Sequence, residues 1–145
     1  GFLVPAAYPD SAVAGLLSQA FCDEAVAQKL LESSNSAFSS FGARVDLAYA
    51  IGLLRPVVRE DLLTIGKIRN RCAHNHLRLS FEDPAILDLV GNLKHLQVMG
   101  GSPPSLIAMA DTPRSKFALT ATLISQRLLV DALGIKRIAI YHGSR

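Results

Sequence analysis

Apolar residues recur at steps of three and four along most of this chain, the spacing that lines one face of an α-helix for a core. Residues 1–9 read as an irregular arm. Asp10 or Ser11 can then cap a long helix whose inner side carries Val13, Leu16, Leu17, Ala20, Phe21, Ala27, Leu30 and Leu31, running to about Glu32. The small polar run 33–40 predicts a loop. From Phe41 to Leu54 apolar residues go nearly all round, which predicts a buried helix with Arg44 and Asp46 as its charges. Leu54-Arg55-Pro56 predicts a turn, with Pro56 acceptable in the first turn of the next helix.

That next helix organises the chain. Its apolar stripe is Val58, Leu62, Ile65, Ile68 and Cys72, and 76–80 should be its exit loop. Asp83-Pro84 opens another helix that carries Ile86, Leu87, Leu89, Val90, Leu93 and Leu96 and fades near Val98. Residues 100–104 form a second break, and 105–111 fit a short helix or a strand. Thr112-Pro113 repeats the opening signal for a last long helix that Gly134 would end. The β-branched run 135–141 alternates weakly and suits a short terminal strand. No period repeats. The expected fold class is all-α, about five helices in one compact bundle domain spanning 1–145.

Composition narrows the class. At 145 residues the chain is long enough for a real core, and half its residues are hydrophobic, which favours a well-buried domain or an apolar oligomer surface. No stretch is apolar enough to predict a membrane span. The start lacks a basic n-region and a proper apolar h-region, so no signal peptide is expected; Gly1 in place of Met points to a trimmed chain or a fragment. Net charge is +3, with two basic and five acidic residues in 1–54 against six basic and one acidic in 112–145. That asymmetry permits an acidic partner or self-association but falls short of the basic stripe of a dedicated DNA binder. Cys22 and Cys72 lie on helical apolar faces without metal or redox spacing, and are expected to be buried free thiols.

The candidate chemistry sits at the end of the central helix. Lys67, Arg69, Arg71, His74, His76 and Arg78 crowd together, and no carboxylate falls between Asp61 and Glu82. At about 100° per residue Arg69 lies only about 40° from Ile65, inside the apolar stripe, while Asn70 and His74 stack on the outer face. Arg69 is therefore expected to pair with a carboxylate, Asp46 being the first choice and Asp61 the second. Lys67, Arg71, His76 and Arg78 remain as candidates for contacting a partner. His74 and His76 lack a third ligand at metal spacing, and the glycines form neither a P-loop nor a dinucleotide fingerprint, so no metal or cofactor is expected.

Residues 38–54 (FSSFGARVDLAYAIGLL), 62–74 (LLTIGKIRNRCAH), 80–86 (SFEDPAI) and 112–124 (TPRSKFALTATLI) resemble, in order and spacing, the mannitol operon repressor (MltR-like) family. The resemblance implies a helical bundle of the bacterial cytoplasm that regulates transcription. It also implies action through a protein partner, because the family is similar in lacking a recognisable DNA-binding element; the apolar composition and the broad apolar face of the 115–133 helix separately favour a homodimer. Arg71-Cys72 departs from the acidic and aromatic residues expected there. Arg69-Asn70-x-x-x-His74 is also similar to the signature of HEPN-domain ribonucleases. That likeness implies metal-independent RNA cleavage with His74 as general acid or base, Arg69 on the scissile phosphate and Asn70 orienting them. RNA is expected as a ligand only under this alternative.

Overall fold

The structure, a computed structural model, describes residues 4–74, 81–98 and 108–143, without the side chains of 4–8, Cys72, His74 and Val98. It is an all-α bundle. The described helices are α1 (Val4–Ala20), α2 (Glu24–Glu32), α3 (Phe41–Ala50), α4 (Pro56–His74), α5 (Pro84–Gly91), α6 (His95–Val98) and α7 (Pro113–Leu133). α1 packs most extensively on α7, and α4 is flanked by α3 and α5. Val13, Leu16 and Leu17 of α1 meet Phe117, Ala121, Ile124 and Leu128 of α7 and Leu62, Ile65 and Ile68 of α4 in one buried cluster. Four of the five stripe residues expected on α4 are buried. Cys72 lies outside the described side chains.

The first long helix divides. α1 starts at Val4, before the expected cap, and runs through Pro9, whose missing N–H costs it one intrahelical bond. The chain then breaks at 21–23 because Asp23 has a stronger local option than continuing the helix. Its side chain accepts from Val26 N at 2.9 Å and so caps α2. Cys22 falls in this break and is exposed, against expectation.

α3 is shorter than its apolar content suggests. Gly52 adopts φ 85°. Its N–H reaches Tyr49 O at 3.0 Å, and Leu53 N reaches Ala48 O at 2.9 Å. This paired closure ends a helix through a left-handed residue, which glycine adopts without steric cost. Loop 33–40 is held by Arg44, whose Nε donates to Phe38 O at 2.8 Å and whose Nη2 donates to Leu31 O.

The caps at Asp83 and Thr112 form as expected, accepting from Ala85 N and Ser115 N. The helix opened by Asp83 stops at Gly91, and a separate turn, α6, follows. The tail 135–143 makes no strand. Instead Ile138 N donates to Ala20 O at 2.7 Å, and Arg137 Nη1 donates to Ser18 O and Phe21 O at 3.2 and 2.7 Å. The tail thus satisfies carbonyls at the C-terminal end of α1, which a helix cannot satisfy itself. The loops expected at 76–80 and 100–104 lie outside the described residues.

Candidate functional site

Arg69 projects from α4 towards α1 and α3. Its Nη1 and Nη2 donate to Asp10 Oδ2 and Oδ1 at 2.7 and 3.1 Å, a two-pronged match of guanidinium to carboxylate. The Phe41 ring lies 4.6 Å from the guanidinium carbon, close enough for a cation–π contact. Gly66, one turn back, makes room for that ring, since a Cβ there would stand 3.3 Å from Phe41 Cδ2.

The expected partner of Arg69 is therefore corrected. A carboxylate does hold it, but that carboxylate is Asp10, not Asp46. Asp46 sits on α3 and pairs with Arg59, its Oδ1 lying 2.9 Å from Nε and 2.8 Å from Nη2. Asp61 turns away from the arginine altogether. Sequence reasoning missed Asp10 because it placed that residue at the mouth of a helix, where it would spend its carboxylate on local amides. Once the helix runs through Pro9, Asp10 stands on a helical flank and is available to α4.

Arg71 donates from Nε to Asp83 Oδ2 at 2.8 Å, with Nη2 3.4 Å from Oδ1. Asp83 at once caps α5, and Arg71 followed by the Ala85 amide holds its carboxyl below the ordinary carboxylate range. Of the partner-contact candidates, Arg71 therefore helps to fasten α4 to α5. Lys67 is exposed and makes no ion pair among the described residues. Asn70 is exposed on the outer face, as its phase predicts. The side chain of His74, with His76 and Arg78, lies outside the described residues.

A second constellation sits at the opposite end of α4. A cleft of about 440 Å³ is lined by Leu53, Leu54, Arg55, Val57 and Val58, by His95, and by Ile124, Arg127, Leu128 and Asp131 of α7. Bonded to the His95 backbone of that lining, Asp61 is fully buried and accepts from Lys94 N at 3.0 Å and from His95 N at 2.6 Å. It caps α6 from across the core. Burial raises the Asp61 carboxyl above its usual range, and the two amides pull it partly back. Burial depresses the His95 imidazole, with Asp61 opposing and Arg55 adding to that effect. Arg127 bonds Asp131 one turn on, Nε to Oδ1 at 3.2 Å. Arg55 makes no ion pair among the described residues. The sequence held no sign of this cleft, because its lining comes from three stretches with no motif in common.

No protein-family model, curated protein or solved structure matched the chain in comparisons with known proteins. Among the described residues, no helix is long and apolar enough to cross a membrane.

Proposed function

We propose that the chain is a regulatory protein of the mannitol operon repressor type, without enzymatic activity, acting in the bacterial cytoplasm through contact with another protein. The observation that carries this reading is the engagement of Arg69. A ribonuclease of HEPN type needs that guanidinium on a phosphate, whereas here Asp10 takes both of its Nη atoms and Phe41 covers it. Reaching a phosphate would mean breaking the joint between α1 and α4.

An apolar surface for association supports the same reading. Leu129, Val130 and Leu133 of α7 are exposed, and so are Ile138, Ile140 and Tyr141 of the tail. Large apolar side chains left exposed over the last turns of a helix and the segment that follows it suit association with another surface. A homodimer uses this surface or leaves it for the partner.

Three measurements test the reading. Purified protein incubated with RNA in EDTA should give no cleavage that depends on His74, and operator DNA should show no sequence-specific shift at about 150 mM salt, where non-specific phosphate contacts fade. In cells, Leu133→Asp should relieve repression as fully as deletion does while the protein remains folded. Cleavage lost in His74→Ala, or full repression by Leu133→Asp, contradicts the proposal.

A further inference from the structure

The cleft between Leu53–Val58, His95 and α7 is unused by the regulatory reading, and it has the make-up of a small-molecule site. Its volume of about 440 Å³ falls in the range of ligand pockets. Ile124 and Leu128 are buried beneath it, and Leu54 and Val58 are nearly so, giving an apolar floor and wall. Around this wall stand a few polar groups of definite character. Arg127 and Asp131 neutralise each other through their ion pair. His95 is almost wholly buried, and its backbone amide is fixed by Asp61, so the ring is presented on an anchored turn. Arg55 is exposed and makes no ion pair among the described residues, and its charge already acts on His95.

We propose that this cleft binds a small organic carboxylate with an apolar body, the carboxylate pairing with Arg55 beside His95 and the body lying against Val57, Val58, Ile124 and Leu128. One cation without an ion pair among the described residues, set beside an apolar wall, matches one negative charge on an apolar molecule. A doubly charged phosphate without such a body would leave the wall in contact with water, and the second cation of the cleft, Arg127, already has its charge offset by Asp131. The proposal is independent of the regulatory reading: a ligand here could bias that function, but binding is measurable without it.

The test is a titration of the full chain, followed by nuclear magnetic resonance, with hexanoate, hexan-1-ol, acetate and inorganic phosphate as separate probes. Hexanoate should bind saturably and shift resonances of Val57, His95 and Leu128. Each of the other three probes should bind at least roughly tenfold more weakly, because each lacks one half of the match. Arg55→Gln, at an exposed position, should weaken hexanoate by about tenfold, the scale of one charge-assisted hydrogen bond. Lys67→Gln, the same charge change about three turns into α4, should leave binding unchanged.

Bound hexanoate should also raise the pH at which the His95 ring titrates, since an added anion favours imidazolium. The charged groups otherwise facing or lining that site are Asp61, Arg55, Arg127 and Asp131. Absence of saturation overturns the proposal. So do equal binding of hexanol or phosphate, shifts confined to residues outside the cleft, and an Arg55→Gln variant that binds as tightly as the unaltered chain.

Discussion

Asp61 and Arg69 stand about two turns apart on α4, each about 40° from the centre of its apolar stripe and on opposite sides of it. Both carry charge towards the interior, yet they are held by different means. Asp61 is 1% exposed, and its partners are the backbone amides of Lys94 and His95. Arg69 keeps 23% of its side chain exposed and meets a formal opposite charge, Asp10, which is itself 42% exposed. The more deeply buried group thus pairs with fixed dipoles at a helix start, and the shallower one pairs with an ion. Amides cannot move away or leave a stranded countercharge, so a carboxylate capping them tolerates depth; an ion pair sealed in the same place would face a large desolvation cost. The comparison predicts that the site without a countercharge contributes more to stability.

Asp61→Ala should have the largest effect. It leaves two amides at the start of α6 without their acceptor, at a cost of about 2–4 kcal/mol, read from chemical denaturation. A loss below that of Arg69→Ala would reverse the comparison.

Arg69→Ala comes next. If Asp10 were buried, removing the arginine would be expected to cost about 3–5 kcal/mol, but with solvent reaching both partners the expected loss is about 1–2 kcal/mol. The same melting curves measure it.

The pH dependence is smaller and has a definite sign. His95 binds its proton less readily in the folded chain than in the unfolded one, where its value is near 6.5. Its contribution is complete above that value and is lost as pH falls from there through the lower folded value, at no more than about 1.4 kcal/mol per pH unit. Asp61, raised above 3.8, acts in the opposite sense: stability falls as pH rises from there through its folded value. His95→Gln should therefore flatten the stability loss just below pH 6.5. An unchanged slope would show that the imidazole titrates normally.

Arg71→Gln should have the smallest effect on the melt, because the Arg71–Asp83 pair is exposed to solvent and salt. Its signature is instead a rise of the Asp83 titration towards the ordinary carboxylate range, readable by nuclear magnetic resonance.

Much of this was legible in the sequence, and the failures share a cause. Helix class, the α4 stripe and the Asp83 and Thr112 caps follow from local spacing, which a few neighbouring residues determine. The inward phase of Arg69 was equally legible, and so was its need for a carboxylate. Which carboxylate it meets depends on whether the chain stays helical through Pro9, and that is decided by α1 packing along α7. The buried role of Asp61 was hidden for the same reason, since its amide partners lie more than thirty residues away. The run 135–141 has the composition of a strand, but the surface offered to it is the carbonyl end of α1 and not a sheet edge.

The most direct test of the central claim, that Arg69 joins α1 to α4 instead of waiting for a phosphate, is a double-mutant cycle on Asp10→Asn and Arg69→Gln measured by denaturant unfolding. A working joint predicts a coupling energy of about 1 kcal/mol, because each single substitution already breaks the pair and the second adds little. Effects that sum to within about 0.3 kcal/mol would show that the two side chains act separately, and would contradict the account.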